Sequence, residues 1–404
     1  MSLNTQIAIA AFLGIGMGVL AQLGWIPSPE TLGFIAKILG VVFTSGLKLV
    51  LMPLIFFTLA SSILHLRQHR HGMRRVWQWT LGYFGVSVII AAITGLCFVH
   101  LFKPGVGVHL NWLTATGPTI VQMDPQKVSL DFIKNALQNP VAALANQNVF
   151  AIVVFAIVVG VGLLKLGKKT EYAAQLLEEW AQLMHWCVQV MMRVAPLGVF
   201  GLLYQLAATQ NMALFQQVGL FIVVVFGGTL WHGFINTPFI LWILTRKNPY
   251  KVLWQAQQPL ITAFSTASSS ATLPVTMETV QTKLGVDPSI GAFVTSLGAT
   301  VNMDGTALYE AMAALFVANL LGVHLSLIQQ VVVVIVSCLA SIGAPGIPSA
   351  GMVTMMMVLQ AVGLPGEAVA ILLPIDRLLD TVRTMVNVEG DIVGAVIVQS
   401  KCED

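Results

Sequence analysis

Charge is what this 404-residue chain has least of: only 9% of its residues are Asp, Glu, Lys or Arg, against 56% that are hydrophobic. A soluble domain carries about 25% charged residues, so most of this chain is built to meet lipid or packed protein rather than water. The net charge of +3 is small and dispersed, and nucleic acid is excluded as a partner. No Lys or Arg occurs from Met1 to Ala36. A cleaved signal peptide wants a basic start, so this stretch reads as a retained first span. The four cysteines, Cys97, Cys187, Cys338 and Cys402, are far apart and form no CxxC pair, which argues against a disulfide framework and a zinc site. Bases are scarce too. From Ser268 to Asp404 the only histidine is His324 and the only lysines are Lys283 and Lys401. A serine nucleophile in the 268–270 triplet would need such a base beside it, so an enzyme is not expected.

What is present is apolar length. Runs fall at about 5–24, 34–64, 78–102, 148–165, 174–206, 214–245, 288–320 and 367–399, and a membrane span needs about 20 such residues. Eight spans follow, several of them long enough to tilt or bend. Basic clusters lie at Arg67/Arg70/Arg74/Arg75, at Lys165/Lys168/Lys169 and at Arg246/Lys247/Lys251. Positively charged loops stay cytoplasmic, and two spans separate each cluster from the next. All three then share one side, with both termini cytoplasmic. The weakly charged segment 103–147, with Pro104, Pro118, Pro125 and Pro140, becomes an outer loop.

After Lys251 the pattern breaks twice. Ala263–Pro274 reads AFSTASSSATLP and Ser341–Gly351 reads SIGAPGIPSAG. Each is a small-residue island between apolar flanks too short to span. Irregular backbone at membrane depth is tolerated only inside protein or beside a watery cavity. Two re-entrant hairpins, at about 255–283 and 325–360, satisfy that condition. Each is followed by a span with polar residues in its middle, Gly298–Glu310 and Asp376–Asp391. Hairpin then helix, twice, is an internal repeat. The intervening span makes the second copy enter from the opposite side, so the repeats are inverted, the pattern that marks a midplane binding site.

The last span carries Asp380, Arg383, Thr384, Asn387 and Asp391 at helical spacing on one stripe. Each charge at the bilayer centre costs about 2.5–3.5 kcal/mol on insertion scales, so the stripe faces a polar site. Arg383 offers a planar fork to a carboxylate, and Asp380, one turn earlier, can hold an ammonium. Together they fit a zwitterion with an extra carboxylate, an acidic amino acid. Asn302, Thr306 and Glu310 form a second stripe at i, i+4 and i+8, with Asp304 beside it. Oxygen donors of this kind, with unwound carbonyls, suit a hard cation such as sodium. Ser269, Ser270 and Gly346 at the hairpin tips offer main-chain N–H groups to an anionic group.

The motifs SSSATLP, NMDGTALYE, GIPSAG and DxxxDxxRTxxNxxGD, with Asn139–Phe155 (NPVAALANQNVFAIVVF), resemble the dicarboxylate/amino acid:cation symporter family, which includes the glutamate and aspartate transporters. The match runs in order over most of the chain. The resemblance implies an elevator-type homotrimer. A scaffold would comprise 1–75 and 148–208 (spans 1, 2, 4 and 5), and a transport domain 76–102 and 212–404 (spans 3, 6, 7, 8 and both hairpins). Asp380 would meet the substrate amino group, Arg383 and Thr306 its side-chain carboxylate, and Asn387, Ser269, Ile347 and Gly351 its main-chain groups, with Thr384 and Ser270 completing the set. One sodium would lie among Gly298, Asn302, Asn387 and Asp391, and a second near Thr300, Met303, Ser341, Ile342 and Ala344. A third would use Ser87, Asn302 and Asp304, although Phe84 and Val88 stand where the family has tyrosine and serine. The arginine that archaeal members place before the serine triplet is Ala267 here, and the arginine that animal members place after the last-span aspartate is Thr381. Glu310 is as in animal members, where glutamate is linked to proton co-transport and potassium counter-transport. A carboxyl group removed from water holds its proton more readily, which makes Glu310 the expected proton carrier. The expected function is symport of glutamate or aspartate with Na+ and H+, with K+ return as a further expectation, in a bacterial inner membrane. The alternative is a proton-driven C4-dicarboxylate symporter.

Overall fold

The computed structural model describes residues 3–26, 29–65, 74–108, 137–145, 149–209, 212–343 and 351–403. Every regular element among them is helical, as expected where backbone groups find no water and must be satisfied within the segment. Helices α1 (Leu3–Gln22), α2 (Pro29–His65), α3 (Arg74–Phe102), α4 (Pro140–Ala145), α5 (Val149–Leu166) and α6 (Glu171–Thr209) come first. Next are α7 (Met212–Trp231), α8 (Thr237–Thr245), α9 (Pro249–Gln255), α10 (Gln257–Thr266) and α11 (Ser269–Thr282). The chain then runs through α12 (Pro288–Val301), α13 (Asp304–Leu320), α14 (Leu327–Gly343), α15 (Gly351–Ala361) and α16 (Val369–Glu403).

By length and composition, Arg75–Phe102 and Ala213–Thr245 are each able to cross a membrane. A third candidate is the pair Glu171–Met191 and Arg193–Gln205, bent by 49°. The cause of that bend is legible: Pro196 lies inside α6, and a proline ring clashes with the carbonyl four residues earlier. Residue 192 is where the two halves meet. The last helix is long enough too, but its charges take it out of that class.

Packing gathers the helices into two groups. Both α1 and α2 lie along α6, and α5 packs on α2. The approach is close enough that a Cβ on Gly201 of α6 would overlap the Ala36 carbonyl of α2. In the second group α3 lies along α13, while α12, α10 and α13 all pack on α16. Helix α13 is the axis of this group, with every residue from Asp304 to Ala318 buried. Contacts between the groups are sparse and run chiefly through α16 on α6 and α14 on α2.

Three breaks interrupt the second group. The arms α10 and α11 pack on each other as a hairpin, turning at Ala267 (φ +49°, ψ 41°) and capped by Ser268, whose Oγ accepts from the Ala271 N–H. The arms α14 and α15 also pack together, and the expected second tip, with Ala344 and Ile347, lies outside the described residues. Between α12 and α13 the backbone leaves the helix at Asn302 (φ −97°, ψ 84°) and Met303 (φ −115°, ψ 56°). This corrects the expectation of one continuous stripe from Asn302 to Glu310. Thr306 and Glu310 share α13, but Asn302 ends the preceding helix. A fourth irregularity was not anticipated: a single π-helical turn at His232–Asn236 joins α7 to α8. Such turns are rare and concentrate at functional sites.

Candidate functional site

The polar residues of α16 face inward onto the breaks. Asp376, Asp380, Arg383, Thr384, Asn387 and Asp391 are all buried, and Arg383 is fully so. Arg383 Nη2 lies 2.6 Å from Asp380 Oδ1 and 3.0 Å from Asp376 Oδ1. The guanidinium carbon sits 4.1 Å from the centre of the Tyr309 ring, a cation–π contact strengthened by the absence of water. Arg383 Nε and Nη1 are buried and make no hydrogen bond among the described residues. An unsatisfied buried donor is costly, so the idle N–H groups on these two nitrogens point to a ligand for them. Gly351, the first residue of α15, stands over the fork: a Cβ there would lie 3.4 Å from both Arg383 Nη1 and Thr306 Cγ2. Arg383, Thr306 and Gly351 are thus brought to one place.

Asn387 ties α16 to the break. Its Oδ1 accepts from the Gly305 N–H at 2.8 Å, and its Nδ2 reaches Met303 Sδ at 3.3 Å and Thr306 Oγ1 at 3.4 Å. Ser269 is buried at the start of α11, whereas Ser270 is exposed. Thr384 is buried beside Arg383.

Several of the expected cation residues lie together. Gly298 lies against Asp391, close enough that a Cβ would overlap Asp391 Oδ1. Asn302 Nδ2 donates to the same Oδ1 at 3.2 Å. A Cβ on Gly390 would in turn overlap Asn302 Nδ2 and lie 3.4 Å from Asp304 Oδ2. Gly298, Asn302, Asp304 and Asp391 therefore form one buried cluster. Asn302 Oδ1 and Asp304 Oδ1 are left there without a hydrogen-bond donor among the described residues. Buried amide and carboxylate oxygens without a donor are the ligand chemistry of a hard cation. Ser87 Oγ hydrogen-bonds Asp304 Oδ2, so Ser87 joins this cluster. For the second expected sodium site, Thr300 Oγ1 bonds Leu297 O and Ser341 Oγ bonds Cys338 O, each within its own helix. Their helices α12 and α14 do touch. Ile342 is half-buried at the end of α14.

Glu310 is fully buried on α13. Its Oε1 accepts from Thr354 Oγ1 of α15, while Oε2 makes no hydrogen bond among the described residues. The carboxyl group thus links the central helix to the inner arm of the second hairpin.

Four further residues escaped the sequence reading. Asp376 is a second partner of Arg383, Tyr309 is its aromatic floor, and Thr354 is the partner of Glu310. The fourth is His232 in the π-helical turn, whose Nε2 lies 3.1 Å from Asp304 Oδ2. Asn236 Nδ2 stands 3.3 Å from His232 Nδ1 and 2.8 Å from Thr94 Oγ1, leaving Nε2 to donate to Asp304. A lone histidine at membrane depth is a functional-site signal by itself, and it could have been found.

Comparison with known proteins gives the chain a family. The model of the sodium:dicarboxylate symporter family matches residues 3–401. An excitatory amino acid transporter of Caenorhabditis elegans is 35% identical over 92% of this chain and 82% of its own length. Excitatory amino acid transporter 3 of Mus musculus is 33% identical over 96% of this chain and 83% of its own. The neutral amino acid transporter B(0) of Mus musculus is 32% identical over 98% and 80%. A chain with broken helices facing a buried Arg–Asp pair, matched over nearly its whole length, belongs to the sodium:dicarboxylate symporter family of membrane transporters.

Proposed function

We propose that the chain is a secondary active symporter that carries an acidic amino acid, aspartate or glutamate, together with sodium and a proton. The observation that carries this reading is the Arg383–Asp380 contact of 2.6 Å beside two guanidinium nitrogens that make no hydrogen bond among the described residues. A solute with a carboxylate and an ammonium can serve both partners: the carboxylate takes an idle N–H of Arg383, and the ammonium takes Asp380. Asn387, Thr306, Thr384 and the hairpin starts at Ser269 and Gly351 complete the cradle. A C4-dicarboxylate would leave Asp380 facing like charge, which disfavours that alternative.

Sodium is the co-transported cation in this reading. Gly298, Asn302, Asn387 and Asp391 would hold one ion, with Ser87 and Asp304 on the far side of Asn302. Thr300, Met303, Ser341 and Ile342 belong to a second proposed site beneath the outer hairpin. Glu310 would carry the proton, because its carboxyl group is fully buried and its one hydrogen bond among the described residues comes from the Thr354 hydroxyl. Potassium return would use the same switch. The α1, α2, α5 and α6 group is the natural scaffold, and the group around α13 and α16 the moving transport domain. The sparse contacts between them favour an elevator motion; a trimer in a bacterial inner membrane, with both termini inside, completes the proposal.

The test is uptake of labelled aspartate and glutamate by proteoliposomes with sodium, proton and potassium gradients imposed one at a time. Accumulation above the outside concentration under a sodium gradient is expected. Equilibration without accumulation under every gradient would rule out the symport reading.

A further inference from the structure

One charged side chain of the site has no role in the reading above. Arg377 lies on α16 between Asp376 and Asp380. Its Nη2 donates to the Thr266 carbonyl at 3.4 Å, and its Nη1 lies 3.8 Å from Asp380 Oδ2. Thr266 is the last residue of α10, directly before the left-handed Ala267 that turns the first hairpin. The guanidinium therefore bridges a hairpin tip and the carboxylate assigned to the substrate amino group. Arg377 Nε and Nη1 are buried and make no hydrogen bond among the described residues, so the bridge is a loose one with donors to spare. The side chain is 18% exposed, against 1% for Arg383.

Charge counting gives this bridge a consequence. Asp376 and Asp380 bring two negative charges, and Arg383 alone returns one of them. With Arg377 the four groups are balanced. A solute of one net negative charge then enters a neutral pocket rather than a negative one.

We propose that Arg377 is a positioning and specificity residue of the substrate site. It ties the first hairpin tip to Asp380, and it supplies the second positive charge by which the site favours acidic over neutral amino acids. The inference rests on the assignment of Asp380 and Arg383 to substrate.

Proteoliposome uptake of labelled aspartate and labelled serine in the unmodified protein, Arg377→Gln, Arg377→Lys and Arg383→Lys tests it. Arg377→Gln should raise the KM for aspartate by about ten- to a hundredfold, the scale of one unit charge acting across a partly screened site. The KM for serine should hold or fall, and the maximal rate for aspartate should stay within a few fold. Arg377→Lys should restore the aspartate-to-serine preference, because it returns the charge without the planar fork. If Arg377→Gln is poorly folded, Arg377→Lys still carries the test, through retained preference with a changed KM. An unaltered aspartate-to-serine KM ratio in Arg377→Gln overturns the inference. Where Arg383→Lys meanwhile loses aspartate uptake, the substrate assignment stands without it. An unmodified protein that concentrates serine but not aspartate overturns both.

Discussion

Replacing Gly298 by alanine is the sharpest probe of the cation cluster. The added Cβ would overlap Asp391 Oδ1 and lie 3.1 Å from Phe84 Cζ. Both neighbours are buried, so neither can swing into solvent, and the Asp391 carboxylate must shift. Overpacking of this kind costs about 1–3 kcal/mol. If the strain falls on a carboxylate that holds sodium, about 1.4 kcal/mol per factor of ten turns this into a roughly 5- to 150-fold weaker ion affinity. Sodium titration of aspartate uptake in proteoliposomes reads it directly. The half-saturating sodium concentration should rise by that factor, while the rate at saturating sodium is largely kept. Gly82→Ala on α3 is the control, since a Cβ there meets nothing within 4 Å. A Gly298→Ala protein that elutes as the unmodified one does and shows an unchanged sodium titration would refute the placement of sodium at Asp391.

Two other outcomes follow from the site. Glu310→Gln keeps the shape and removes the ionisable group, so the stimulation of uptake by external acid and any dependence on internal potassium should both disappear; a variant that retains both dependences contradicts the assignment of the proton to Glu310. Succinate should fail to compete with labelled aspartate even in large excess, because it offers nothing to Asp380, and inhibition at concentrations near those of unlabelled aspartate would favour the dicarboxylate reading.

Much of this was legible in the residues. The stripe from Asp380 to Asp391 was visible because charge is so rare in the chain that helical spacing between charges stands out. The hairpins were visible because serine, glycine and proline gather in two islands with short apolar flanks. The break at Asn302–Met303 was less legible, since NMDGT contains no proline and its spacing fits a helix as well as an interruption. Contacts made by tertiary approach were not legible at all. Thr354 reaches Glu310 across 44 positions, and His232 meets Asp304 across 72. No local pattern announces such pairs. The π-helical turn is of the same kind, because one extra residue in a helical repeat leaves little trace in apolar spacing. Arg377 escaped for a different reason. It stands in plain view between two aspartates, but the family resemblance points to positions 267 and 381 for a second arginine, where Ala267 and Thr381 stand.

One replacement goes to the root of the account. Arg383 is buried between two carboxylates and an aromatic ring, with half of its fork idle. Purified Arg383→Ala, reconstituted beside the unmodified protein under an inward sodium gradient, should lose concentrative uptake of aspartate and glutamate. Accumulation of either amino acid by Arg383→Ala to the level reached by the unmodified protein would contradict the claim that this guanidinium holds the substrate.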